Sequence, residues 1–236
     1  MRSAKLRSGV QGRNFYGRVK GKTLKPAQQR YIDEDLPALQ IPGVTVEDNP
    51  ARTTLALPTL FGDDRPLWLE VGFGGGEHMV HQAQAHPEIG VIGCEPFLNG
   101  VAMALGKIRR ARVANVRLHA GDVRDLFDVL PDACLQGAFL LYPDPWPKAR
   151  HHRRRFVTPD HLHPLARVLA PGAAFRIATD IPDYVRQTLE EVPQAGFDPV
   201  AQDLHTPWPD WPSTRYEAKA LREGRQPQYL TFLRKA

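Results

Sequence analysis

The chain has 236 residues, 42% of them hydrophobic and 24% charged, which suits one large globular domain with a good core. No apolar run approaches a membrane span, the start lacks the apolar core of a secretory signal, and Cys94 and Cys134 form no C-x-x-C, so membrane, secreted and disulfide-framework classes are set aside and a reducing, cytoplasmic compartment is expected. The net charge of +5 is unevenly placed: residues 1–30 hold nine Lys and Arg and no acid, leaving −4 for the rest. A basic arm on a mildly acidic body points to a polyanion partner.

In chain order, residues 1–30 read as a flexible basic arm and 31–236 as one domain, opening with a proline-bearing lead-in over 31–60. Leu67 to Val71 is a short apolar strand, ended by Gly72-Phe-Gly-Gly-Gly76. Glu77 to Ala85 is a helix, Ile89 to Cys94 a strand, Phe97 to Arg112 a helix, Val116 to His119 a strand and Val123 to Leu130 a short helix. Ala138 to Leu141 is the fourth strand. Thr158 to Leu169 is a helix with Leu162, Leu165, Ala166 and Leu169 on one face, stopped by Pro171-Gly172. Ala174 to Ala178 is the fifth strand, Tyr184 to Val192 a helix and Tyr229 to Leu233 a late strand. Strand and helix alternating in this way give an α/β fold whose parallel sheet is covered on both faces, with ligands beyond the carboxyl ends of the strands.

The most unusual stretch is Leu141-Tyr-Pro-Asp-Pro-Trp-Pro-Lys148. Three prolines alternate with Asp144, Trp146 and Lys148, and proline restrains both itself and the residue before it. Such a loop has little freedom to lose when a ligand arrives. A dense cationic strip follows: Arg150, His151, His152, Arg153, Arg154 and Arg155. An acid and flat rings, backed by that strip, suit a planar base on a phosphate backbone. Trp146 or Tyr142 is placed to stack on such a base.

Three strand ends offer ligand contacts. They are Glu70-Val-Gly72-Phe-Gly74-Gly-Gly76, Gly93-Cys-Glu95 and Gly121-Asp122. Glycines there let a ligand approach the backbone. Glu95 is placed to accept from ribose hydroxyls and Asp122 from an adenine amino group. A dinucleotide site wants glycine at the place held by Glu77, and an acid at a helix start repels a pyrophosphate. Acids crowding this turn suit a cationic ligand without phosphate, and S-adenosylmethionine is one.

The glycine turn, the second-strand acid and the third-strand Gly-Asp resemble class I S-adenosylmethionine-dependent methyltransferases. The string Pro143-Asp-Pro-Trp-Pro-Lys-x-Arg-His-x-Arg-Arg-Arg155, with Arg176-Ile-Ala-Thr-Asp180 and Thr214-Arg-Tyr-Glu217, is similar to the bacterial tRNA (guanine-N7)-methyltransferase family. The resemblance runs from about Leu67 to the end. It implies a doubly wound, mostly parallel, seven-stranded Rossmann-like sheet with an antiparallel last strand. It further implies cofactor contacts at Glu70, Gly72, Gly74, Glu95, Asp122 and Asp144, and substrate contacts at Lys148, Asp180, Thr214, Arg215, Tyr216 and Glu217. The strip 150–155 would contact RNA, and tRNA would be the partner of a monomer or homodimer. The implied reaction methylates N7 of a variable-loop guanine; a class I methyltransferase acting on another RNA base is the alternative.

Guanine N7 has an in-plane lone pair and no proton, and the product is cationic. A carboxylate facing the base is then more useful than a proton acceptor, and Asp144 is assigned that role. No metal is called for. His78 and His81 share a helix face, and His161 and His163 are two apart, but neither pair has a third ligand at metal spacing, so both read as solvated or capping side chains. Trp208 and Trp211 read as packing residues.

Overall fold

The computed structural model describes Arg13 and residues 15–236. The first part of the basic arm, residues 1–12 with Asn14, therefore lies outside the described residues. The elements in chain order are α1 (Pro26–Arg30), a π turn (Tyr31–Asp35), α2 (Leu36–Leu39), α3 (Pro58–Phe61), β1 (Leu67–Val71), α4 (Glu77–Ala85), β2 (Gly90–Cys94), α5 (Leu98–Ala111), β3 (Val116–His119) and α6 (Val123–Phe127). There follow β4 (Leu135–Leu141), a 3-10 turn (Ala149–Arg154), α7 (Pro159–Val168), β5 (Leu169–Thr179), α8 (Pro182–Gln194), β6 (Phe197–Pro199), α9 (Arg215–Arg222) and β7 (Gln228–Arg234). The chain adopts the mostly parallel, seven-stranded arrangement expected, with an antiparallel last strand.

Two compact units divide the chain after Pro131. In the first, β2 pairs in parallel with β1 and with β3. β1 and β2 are short because their mostly apolar runs of five residues are followed at once by Gly72 and Glu95. Buried side chains on α4 and α5, among them Met79, Val80, Val101, Ala104 and Leu105, form one cluster with Val91, Val116 and Leu118. Leu36 joins it from the lead-in, and the amide of Ile41 donates to Leu118 O at 2.9 Å, so the segment before β1 is part of this core. Burying each such side chain contributes roughly 1.5–3 kcal/mol.

In the second unit β4 pairs in parallel with β5, and β7 pairs antiparallel with both β5 and β6. Phe175, Tyr184, Phe197 and Phe232 are fully buried here. The helix expected to reach Leu169 ends one residue earlier, because Leu169 already pairs with Leu135 and opens β5. Pro171 and Gly172, expected to stop a helix, instead lie where the β4–β5 register jumps between Leu135–Leu169 and Gly137–Ala174. A two-residue advance on one strand faces a five-residue advance on the other, a bulge that the apolar pattern did not reveal.

Candidate active site

Four glycines, Gly72, Gly74, Gly76 and Gly100, shape the turn after β1 in the first unit. Gly72, Gly74 and Gly76 have φ of +72°, +54° and +75°, a region that side-chain-bearing residues rarely enter. A Cβ on Gly100, in the first turn of α5, would lie 2.5 Å from the carbonyl oxygen of Gly74, so helix and turn meet backbone to backbone. Nothing lies within 4 Å of a Cβ built on Gly72. The turn is thus packed on one side and open at its first glycine.

Two buried carboxylates brace it. Glu95 accepts from the amide of Gly74 at 2.8 Å and from that of Phe97 at 2.8 Å. Glu70 lies 2.5 Å from Nδ1 of His78, both side chains almost wholly buried. His78, set aside as solvated or capping, is therefore the partner of the first acid. Only its position in the first turn of α4, where the Gly72–Gly76 turn folds the chain back onto β1, hinted at this. Asp122 caps α6: it accepts from the amide of Arg124 at 2.9 Å and from that residue's guanidinium, with Nη2 at 2.5 Å. Glu77 is paired with Lys107 at 3.0 Å, and the same ammonium donates to Gly75 O at 2.6 Å. Its charge is thus partly matched, which weakens the electrostatic case against a pyrophosphate; the packed glycine turn and the buried acids carry the cofactor argument instead. Three acids with an open glycine fit a cationic nucleoside ligand.

The described part of the basic arm is tied to two helices of the first unit, α6 and α5. Arg13 donates to both carboxylate oxygens of Asp128, at 2.6 and 2.7 Å. Further on, the amide of Gly21 donates to Oδ1 of Asn99 at 2.8 Å, and Asn99 returns a bond to Lys22 O at 2.7 Å. Arg13 is thus fastened at the C-terminal end of α6, and Gly21 and Lys22 at the first turn of α5. In α6, burial pushes Asp125 up to about 6, with the Asp122 charge adding to the effect. Burial also lowers His119 to about 4.

The second unit collects the other acids. Asp144 is exposed on the proline loop that follows β4. Tyr142 and Trp146, at φ of +49° and +40°, hold the loop in a left-handed backbone that aromatic side chains seldom accept. Neither ring lies bare for a base. Tyr142 stacks on Tyr216, centroids 6.5 Å apart and planes within 18°. Trp146 carries the guanidinium of Arg154 at 5.0 Å and the edge of His151 at 5.9 Å. Burial first, then the charges of Tyr229 and Glu217, raise the Tyr142 phenol well above its usual range.

Glu217 is buried at the start of α9, where Thr214 Oγ1 caps the helix by accepting from the Glu217 amide at 3.2 Å. Its carboxylate accepts from Trp211 Nε1 at 3.0 Å and from the Tyr229 hydroxyl. Trp211 is therefore a support for a substrate-motif acid as well as a packing residue. Asp180, following β5, is paired with Arg225. The side chains of Thr214, Tyr216 and Glu217, with Tyr142 and Tyr229, thus stand at one end of this unit's strands.

The cationic strip is not uniform. Lys148, Arg150 and Arg153 are exposed, His151, His152 and Arg154 half-buried, and Arg155 buried at 1% exposure. His151 is held below its usual range by partial burial and then by Arg154, Arg150, Lys148 and Arg153. Arg155, grouped by sequence with the RNA contacts, turns inward: Nε donates to Pro145 O at 2.8 Å, Nη1 to Gln187 Oε1 at 2.8 Å and Nη2 to Asp183 Oδ2 at 2.8 Å. That inward turn is a correction to its expected role as an RNA contact. Among the described residues no His, Cys, Asp or Glu group could hold a metal ion, and no helix is long and apolar enough to cross a membrane.

Known proteins share this fold. The 16S rRNA methyltransferase KamB superposes with a TM-score of 0.56 at 17% identity, covering 76% of this chain and 93% of that one. The [4+2]-cyclase SpnF does so at 0.53 and 16%, covering 92% and 99%, so this likeness speaks for fold alone. Residues 64–230 match a family described as putative methyltransferase, and fold and family together define a class I methyltransferase. The tRNA (guanine-N(7)-)-methyltransferase of Paracoccus denitrificans is 70% identical, over 95% of this chain and 96% of its own. That of Mesorhizobium japonicum is 47% identical over 94% of each. The chain belongs to the tRNA (guanine-N(7)-)-methyltransferase family.

Proposed function

We infer that this protein transfers the methyl group of S-adenosylmethionine to N7 of a guanine in tRNA, giving 7-methylguanosine. The observation that carries the reading is identity of 70% to a relative of that name along nearly the whole chain. Bound S-adenosylmethionine supplies an electrophilic methyl on a sulfonium. Glu70, Gly72, Gly74, Glu95 and Asp122 are the residues assigned to hold it. Glu95 is fixed at the end of β2 by the amides of Gly74 and Phe97, the place from which it would accept from ribose hydroxyls.

The guanine side falls to the second unit. N7 forms its bond to the methyl carbon as the carbon–sulfur bond breaks, the sulfur keeps that electron pair, and the base becomes cationic. No proton leaves N7. Asp144 therefore stabilises developing positive charge instead of abstracting a proton. Thr214, Arg215, Tyr216, Glu217, Asp180 and Lys148 are assigned to the substrate, and Arg150, His151, His152, Arg153 and Arg154 to the RNA backbone. In A-form RNA the N7 edge faces a groove too deep and narrow for side chains, so the target guanine must lie outside regular helix, as in the variable loop.

The test is incubation of purified protein with unmodified tRNA and methyl-labelled S-adenosylmethionine, followed by nucleoside analysis. Label in 7-methylguanosine is expected. Label confined to any other nucleoside contradicts the assignment and favours methylation of another RNA base.

A further inference from the structure

The geometry points to Arg155 as a positioning residue for Asp144, a role that rests on the methyl-transfer reading above. A proline loop is hard to anchor. Pro143, Pro145 and Pro147 have no amide hydrogen, which removes three of the loop's backbone donors and leaves their carbonyls as the groups through which these residues can be held. Arg155 supplies the donor: its Nε–H reaches Pro145 O at 2.8 Å, one residue from Asp144 and one before Trp146 with its φ of +40°.

The other end of the guanidinium is fixed to α8. Nη1 donates to Gln187 Oε1 and Nη2 to Asp183 Oδ2, both at 2.8 Å, and the plane lies 5.1 Å from the Tyr184 ring centroid. Gln187 is itself locked by donating to Val157 O at 2.8 Å. A wholly buried guanidinium is costly unless its donors are met, and here they are met in three directions at once. A planar fork does this; a lysine ammonium, a single point of charge, does not. The neighbouring arginines of the strip lack this arrangement. Arg153 is exposed, and Arg154 covers Trp146.

The experiment compares wild type, Arg155→Lys, Arg153→Ala and Gln187→Met, measuring kcat, both KM values, tRNA affinity against salt, and melting temperature. Wild type must first form 7-methylguanosine; if it does not, the functional reading fails and not this one. Arg155→Lys is expected to lower kcat by roughly 10- to 100-fold, the scale of an ångström's misplacement, with both KM values within about twofold. Its salt slope should match wild type, whereas Arg153→Ala should flatten the slope by roughly 0.7–0.9. Gln187→Met, which removes one bracket inside the protein, should show a smaller kcat loss of the same kind and decides the matter if Arg155→Lys does not fold. In an Asp144→Asn background the loss from Arg155→Lys should shrink to within about twofold, because a misplaced amide matters less than a misplaced charge. A flattened salt slope with kcat intact, or losses that multiply fully with Asp144→Asn, would overturn the assignment.

Discussion

Gly100 shows how one missing side chain sets the cofactor turn. Its backbone meets the Gly74 carbonyl, and an added Cβ would stand 2.5 Å from that oxygen with no flexible group to give way. Gly100→Ala should displace the turn and weaken S-adenosylmethionine binding by about tenfold or more, equivalent to about 1.4 kcal/mol, with tRNA affinity unchanged; calorimetric titration of each ligand checks it. His78 is the complementary case, a side chain whose role depends on its partner. Its ring closes on Glu70 at 2.5 Å inside the protein. Sequence offered the pair of acids and the glycines, but no periodicity marks a histidine that reaches back across a turn. The acids at residues 70, 95 and 122 were legible from the strand pattern: Glu70 lies within the run that forms β1, and Glu95 and Asp122 come one and three residues after β2 and β3 end. What they bond to was not.

The 3-10 turn over Ala149–Arg154 sorts a run of like charges into different jobs. Its side chains recur about every three residues, so Arg150 and Arg153 share an exposed face while Arg154 covers Trp146. Replacing Arg150 and Arg153 together by alanine should reduce the dependence of log affinity on log salt by roughly 1.4–1.8, if each meets one phosphate. Filter-binding titrations across salt concentrations check this, and an unchanged slope removes that face from the RNA interface. A string of consecutive cations has no hydrophobic phase, which is why sequence alone placed Arg155 with its neighbours. Helix α9 was missed for a related reason. It buries only Glu217 and Ala220, too few apolar positions to show a 3.6-residue period. Its signature was the Thr-x-x-Glu spacing of Thr214 and Glu217, which reads as a capping box. The longer helices and most strands, by contrast, followed from apolar runs ended by glycine, proline or acid, with bounds shifted by at most three residues; β6 went unread, because Phe197–Pro199 has one buried apolar position, and β5 begins five residues before the expected Ala174.

At the scale of the whole molecule, pH acts through two opposed groups in the first unit. Asp125 is raised by burial to about 6, so the folded state favours its neutral form, and stability from it is lost as pH rises from about 4 to 6. His119 is lowered by burial to about 4, so stability from it is present above about 6.5 and lost as pH falls through the same window. The two nearly cancel. His119→Gln should expose the aspartate, with stability declining by roughly 1–2 kcal/mol as pH rises across the window, and Asp125→Asn should expose the histidine, with the reverse slope. Melting curves at several pH values would refute this if the variants ran parallel to wild type.

Methyl transfer turns on one charge, the carboxylate of Asp144 that the stiffened loop carries past β4. The most direct measurement is the single-turnover rate of methyl transfer by Asp144→Asn at saturating S-adenosylmethionine and tRNA, with the affinity for each measured separately. Asparagine keeps the shape and a carbonyl acceptor but not the charge. The rate should fall by about 100-fold or more, the scale of losing one preorganised electrostatic contact to a transition state. A rate close to wild type, with both ligands bound, would contradict it.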